Sequence, residues 1–243
     1  LNSRGSSHSQ RVFRGRAGDF KTVPPILTIL RLAFPLLLML ILPANAVWAK
    51  TRAPVAVIEL NGVIDSIAGR HVVRAIDAAE RNGRDLVVIQ MDTPGGLDTA
   101  MREIIRRILN SEIPVVVFVG PEGARAASAG LFIAMAAHVA VMAPSTNIGA
   151  AHPVSLAGAQ SSQSEVLESK VTNDAAAYIR GIAETRGRNA DWPELAVRES
   201  VSITAREALD LGVIDLIATD VDDLLARIDG REVSVASNTK ILR

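Results

Sequence analysis

The chain has 243 residues, 49% hydrophobic and only 3% aromatic. That suffices for one sizeable α/β domain but leaves few rings to stack on single-stranded nucleic acid. The formal net charge of zero averages two unlike parts: residues 1–50 carry seven Lys/Arg and one acid, the remainder 19 basic and 25 acidic residues. The body is mildly acidic, with no basic patch suggesting DNA, and the absence of cysteine excludes disulfides, thiolate chemistry and Cys-based zinc sites.

Residues 1–49 read as a basic N-terminal segment and a signal. Arg14, Arg16, Lys21 and Arg31 precede an apolar run ending at Leu42, followed by Ala44-Asn45-Ala46 and Val47-Trp48-Ala49, two small-x-small cleavage points. The competing reading is an uncleaved anchor over residues 23–49. Pro24, Pro25, Arg31, Pro35 and Pro43 make that a poor membrane-spanning helix. Either reading exports the body. The chain begins with Leu1, consistent with a fragment or an alternative start.

From residue 50 the pattern alternates. Ala53–Leu60, Leu86–Met91, Pro114–Val119 and Val139–Met142 are short apolar runs with the length of buried strands. Between them Ile67–Arg81 and Leu97–Leu109 carry apolar residues at helical spacing. This spacing predicts βαβ crossovers and a parallel sheet covered on both faces, with ligands beyond the carboxyl ends of the strands. Pro153–Ser169 is Ser- and Gln-rich without periodicity and reads as a mobile loop. A helix is expected over Lys170–Arg186, then Trp192–Arg198 and Ala205–Leu211, the last capped by Thr204 with Glu207 three residues on. A strand over Val213–Ile217 and a helix over Val221–Ile228 complete the series.

Two of the strands run into glycine turns, Thr93-Pro94-Gly95-Gly96 and Gly120-Pro121-Glu122-Gly123. The second leads into Ala126-Ala127-Ser128-Ala129-Gly130, a serine among the smallest side chains, at the start of a helix. Such a serine is either a nucleophile facing free backbone N–H groups or a plain helix cap. Two bases follow in the chain, Lys170 and His152. Asp92, ahead of the first turn, is expected to hold that turn's backbone. Other chemistries lack their signatures. The four histidines form no HExxH pair, and neither a P-loop nor GxGxxG is present.

The pairing of MDTPGG with ARAASAG resembles the ClpP/crotonase fold class, and most closely the NfeD (stomatin-operon) family of membrane-bound serine proteases, over Pro54 to Gly230. The resemblance implies a ClpP/crotonase-like superhelix of repeated ββα/βαβ units, its parallel sheet flanked by helices, and an ATP-independent serine endopeptidase without cofactor or metal. It assigns Ser128 as nucleophile and Lys170, in LESKVTNDAAAYIRGIAETRGR, as base, with His152 the alternative used by soluble ClpP proteases. The backbone N–H groups of Gly95, Gly96 and Ala129 are the oxyanion donors it implies. A lysine base needs an apolar surround to lose its proton, and the apolar side of the Lys170 helix is expected to supply it.

Implied substrates are apolar segments of membrane proteins such as stomatin-like partners, with no nucleic acid, and assembly as a homodimer or larger. Residues 50–235 would be the protease domain, on the extracytoplasmic (periplasmic) side and membrane-associated. Residues 236–243 would be a tail ahead of the membrane spans and small β-barrel common in the family, unless the chain is a short form. Two alternatives stand beside this reading: an acyl-CoA enzyme of crotonase type, which would not need Ser128, and an inactive scaffold that binds a membrane partner.

Overall fold

The computed structural model describes residues 55–154, 162–236 and 238–242; the signal or anchor lies outside the described residues. In chain order the elements are β1 (Val55–Asn61), α1 (Ser66–Arg81), β2 (Leu86–Asp92), α2 (Asp98–Leu109), β3 (Val115–Val119), β4 (Arg125–Ala127), α3 (Ala129–Ala136), β5 (Val139–Met142) and β6 (Asn147–Gly149). There follow α4 (Ser162–Thr185), α5 (Asp191–Glu199), β7 (Ser202–Thr204), α6 (Ala205–Asp210), β8 (Leu216–Ile217), α7 (Val221–Ile228), β9 (Glu232–Val235) and β10 (Asn238–Ile241).

Five strands form one sheet in the order β1-β2-β3-β5-β8, every neighbour parallel. The alternation of strand side chains sorts the apolar runs between two layers. Val87, Ile89 and Met91 of β2 enter one core with Val115, Val117 and Val119 of β3, roofed by Val72 and Ile76 of α1 and Ile104, Ile105 and Ile108 of α2. Leu86, Val88, Val116 and Phe118 face the other, under Leu224 and Ile228 of α7 and Val233 and Val235 of β9. Both faces are dry, so these runs read as continuously apolar rather than alternating. Burying one such aliphatic side chain contributes about 1.5–3 kcal/mol, and truncating it to alanine removes about 2–5 kcal/mol.

A second sheet lies at the carboxyl ends of the first, with β4 parallel to β6 and β6 antiparallel to β7. Single bridges join Thr93 to Ala126 and Ile64 to Gly96, so the chain leaving β1 and β2 continues into this layer. Its strands are three residues long, below the length at which alternation can be read, and the apolar pattern did not foretell them. The other departures have local causes. Residues 162–169, expected as loop, form the first turns of α4, since Ser and Gln lower helix propensity only slightly. The strand expected over Val213–Ile217 is reduced to Leu216–Ile217, because Val213 and Ile214 turn their amides to Ala208 O at the end of α6. Within residues 236–243, β10 pairs antiparallel with β9, and Leu242 is buried in the α7-side core. The Thr204–Glu207 capping box is present as read.

Candidate active site

Ser128 occupies the N-cap position of α3 with φ 54° and ψ −116°, a conformation that residues with a Cβ adopt only under constraint. Its side chain makes no capping hydrogen bond, so the plain-cap reading fails. The constraint comes from both sides. Ser128 N–H donates to Gly149 O at 2.9 Å, and Ala127 N–H donates to Thr93 O at 3.1 Å. The helix behind it is anchored: all eight residues of α3 are buried. Its last carbonyls accept from arginines of the chain following α4, Met135 O and Ala137 O from Arg188 and Ala136 O from Arg186. Guanidinium groups thereby satisfy the carbonyls of a buried helix end. Burial, and then the charge of Arg188, lower the Arg186 pKa to about 10.

Facing the serine is the Thr93–Gly96 turn. Gly95 has φ +106°, and a Cβ there would lie 2.5 Å from Ser128 Cβ and 3.0 Å from its Oγ. A Cβ on Gly96 would lie 2.1 Å from Ile64 O. Two glycines are therefore required, one for the approach to the nucleophile and one for the approach to the neighbouring chain. The Gly95 N–H donates to Thr93 Oγ1 at 3.0 Å, which removes it from the expected oxyanion donors. The N–H groups of Gly96 and Ala129 meet no acceptor among the described residues.

Thr93, fully buried, was not singled out in the sequence. Its hydroxyl accepts from Gly95 and donates to Gly62 O at 2.7 Å, tying the turn to the end of β1. The signal available was a threonine opening a Pro-Gly-Gly turn after an apolar run. Asp92, expected to hold that turn, instead accepts from Arg125 N–H at 3.0 Å and so fixes β4, the strand that delivers the serine.

The two bases are placed differently. His152 is half-buried, with Nδ1 3.0 Å from Val197 O and Nε2 3.4 Å from Glu168 Oε1. Both ring nitrogens have acceptors other than Ser128. Lys170 is exposed and lies more than two turns inside α4 rather than at its start. The apolar surround expected for it is not supplied by its own helix. The two halves of the site nevertheless share a neighbourhood: α4 meets α3 through the Phe132–Tyr178 stack, centroids 6.1 Å apart. It also meets the chain just beyond Gly149 through Glu168 and His152. Among the described residues no group of three or more His, Asp or Glu side chains could hold a metal.

A strained serine at a strand-to-helix turn, set against a Pro-Gly-Gly turn at the carboxyl ends of a parallel sheet, is matched by a family model for the NfeD1b N-terminal domain over residues 54–238. The chain belongs to that family. The membrane-bound protease PH1510 of Pyrococcus horikoshii is 38% identical to it over 202 residues, 83% of this chain and 45% of the relative. The membrane protein NfeD1b of Bacillus subtilis is 37% identical over 78 residues, covering 32% of this chain and 17% of that one. The chain thus spans under half the length of these curated relatives. Among solved structures, the 1510-N membrane-bound stomatin-specific protease with a lysine-to-alanine substitution, in complex with a substrate peptide, superposes with a TM-score of 0.71 at 36% identity, over 79% of this chain and 89% of that one. A serine-to-alanine variant of the same protease gives 0.70 at 36% identity, over 78% and 91%. The ClpP-like α/β fold read from the paired motifs is the fold of this chain.

Proposed function

We propose that this domain is a serine endopeptidase that cleaves apolar segments of membrane-associated proteins, stomatin-like partners among them. The observation that carries it is the backbone of Ser128: strained, uncapped by its own side chain, and set between the free amides of Gly96 and Ala129. The mechanism is acyl transfer. Ser128 Oγ attacks the peptide carbonyl, and Lys170 accepts the hydroxyl proton and returns it to the leaving amine. Water then repeats the sequence on the acyl-enzyme. The Gly96 and Ala129 N–H groups hold the tetrahedral oxyanion, and losing one such donor costs about 3 kcal/mol of transition-state stabilisation.

Support for Lys170 over His152 comes from two sides. Both His152 nitrogens are engaged elsewhere. The serine and the lysine replaced in the solved relatives are also separated by nearly the same length of chain as Ser128 and Lys170. The membrane-bound nature of the relatives supports an extracytoplasmic, membrane-associated setting. No described helix is long and apolar enough to cross a membrane.

The test is hydrolysis of apolar peptides by wild type, Ser128→Ala, Lys170→Ala and His152→Ala. Inactivity of the first two variants with turnover by the third upholds the assignment. A dead His152→Ala beside an active Lys170→Ala moves the base to the histidine, and a wild type that neither cleaves nor reacts with a serine-directed probe leaves a scaffold.

A further inference from the structure

Arginines over much of the surface, such as Arg102, Arg180 and Arg227, meet carboxylates. Arg70 and Arg74 of α1 and Arg106 of α2 form no ion pair with a described residue. All three line one groove of about 470 Å³ between the two helices, together with Val73, Glu103 and Arg107.

The groove follows from how the helices pack. Gly69 lets α1 and α2 touch, since a Cβ there would already lie 3.2 Å from Ala100 Cβ. One turn on, Val73 is half-buried in the floor. Farther along, Arg107 is held by Asp77 at 2.6 Å and by Glu80 at 2.5 Å, which ties the helices together again and neutralises that guanidinium. The open part therefore sets three uncompensated guanidinium groups against the carboxylate of Glu103. Arg106 suits the last turn of α2. Arg70 and Arg74 lie in the first half and the middle of α1, away from the helix end that favours a cation. On a body with 19 basic and 25 acidic residues, that cluster is not background.

Guanidinium forks fit phosphate groups, and a second feature says which phosphate. At about 100° per residue, Ile67, Arg70 and Arg74 lie within about 60° of one another on the outward side of α1, away from the buried Val72, Ile76 and Ala79. Ile67 is 71% exposed, and Val63, just ahead of the helix, 63%. A soluble phosphate gains nothing from an apolar tip beside its cations. A lipid surface does: the tip enters the acyl boundary while the guanidinium groups take headgroup phosphates.

Resting on the membrane-associated setting proposed above, we propose that the outer face of α1 and α2 docks on anionic phospholipid headgroups. Ile64, two residues ahead of α1, pairs with Gly96, and Arg70 is one turn into that helix. The docking face thus adjoins the turn opposite Ser128, and docking holds the site beside the bilayer from which an apolar segment emerges.

The chain has no cysteine, so His71→Cys, at an exposed position on the same outward side, gives a single place for a polarity-sensitive dye. Full chains are mixed with vesicles of phosphatidylcholine alone, with vesicles also containing phosphatidylglycerol, and with glycerol phosphate in solution. The dye reads this face itself, which bulk binding does not, because residues 1–50 carry seven Lys/Arg of their own. Emission is expected to move to the blue on the phosphatidylglycerol vesicles only, and less so at high salt. With Arg70→Gln, Arg74→Gln and Arg106→Gln combined, the lipid concentration required is expected to rise about fivefold per arginine. A dye that stays wet while the chain sediments with the vesicles overturns this face and leaves the membrane-associated setting standing. A response to glycerol phosphate equal to that on vesicles makes this a site for a soluble anion and overturns the proposal. An unchanged response in the triple variant overturns it too. A wild type that stays in the supernatant overturns the proposal and that setting together. Hydrolysis of a soluble apolar peptide is expected to be the same in wild type and triple variant, so the serine assignment is tested apart from this one.

Discussion

Gly95→Ala is the sharpest single substitution the site offers. The new methyl group would meet Ser128 Cβ, and an alanine would have to hold φ +106°. A loss of peptide cleavage of a hundredfold or more is expected, on the scale of one missing oxyanion donor, with the fold retained by circular dichroism. Wild-type kinetics would refute the placement of this turn. Thr93→Val keeps the shape but strands the buried Gly95 amide, at about 1–3 kcal/mol for one buried unsatisfied group, and removes the donor to the exposed Gly62 carbonyl. Its midpoint in denaturant is expected to fall, and kcat is expected to fall beyond what the residual folded fraction explains. Both residues belong to the motif readable in the sequence. Their division of labour was not readable, because it depends on which amide the threonine hydroxyl takes.

Among the elements, α3 shows how much of the site depends on parts remote from it. Its carboxyl end is held by Arg186 and Arg188. Arg188 in turn pairs with Asp215 at 2.5 Å, and Arg231 reaches the same carboxylate at 2.6 Å. Burial pushes the Asp215 carboxyl up, but Arg188, the Ala140 N–H and Arg231 outweigh it and hold it below the usual range. Asp215→Ala leaves Arg188 buried and unpaired, and a loss of about 3–5 kcal/mol is expected by chemical denaturation.

Beside it, burial and then Arg186 depress the His138 pKa from 6.5 to about 3, and Val115 N–H donates to Nδ1. The unfolded chain therefore binds the proton more readily between those values, so stability is complete above about pH 6.5 and declines as pH falls towards 3. His138→Asn keeps an acceptor for Val115 and is expected to flatten the acid limb of a melting-temperature profile. An unchanged slope would place the acid sensitivity in carboxylates such as Asp215 instead.

The strands and helices of the main sheet were legible because runs such as LVVIQM and VVVFV are long enough to show their burial. The second sheet was not, since RAA, NIG and SIT carry no pattern of their own and exist only through their partners. For the same reason the serine was legible by its small neighbours while its strain was not. φ 54° follows from bonds to Gly149 and Thr93, which no local window contains. That Lys170 lies more than two turns inside α4 was not legible, because the Ser- and Gln-rich residues before it carry no apolar period.

For the molecule as a whole, the contacts that shape Ser128 span a long stretch of chain. Its amide is tied to Gly149, which lies in register with Ser202 on β7, while β5 waits for Leu216 of β8 to close the main sheet. During synthesis the nucleophile is thus complete in sequence long before it is complete in shape. A nascent chain ending before residue 200 carries the serine and both glycines but lacks β7, the strand that pairs with Gly149. Non-local parallel pairing of this kind also closes slowly. The fold is therefore expected to act as a timer on its own chemistry, with a competent serine formed only once nearly the whole domain has emerged. Arrested chains of increasing length should acquire reactivity towards a serine-directed probe in one late step, after β7 and β8 are both available, and not gradually as residues 128 to 150 appear.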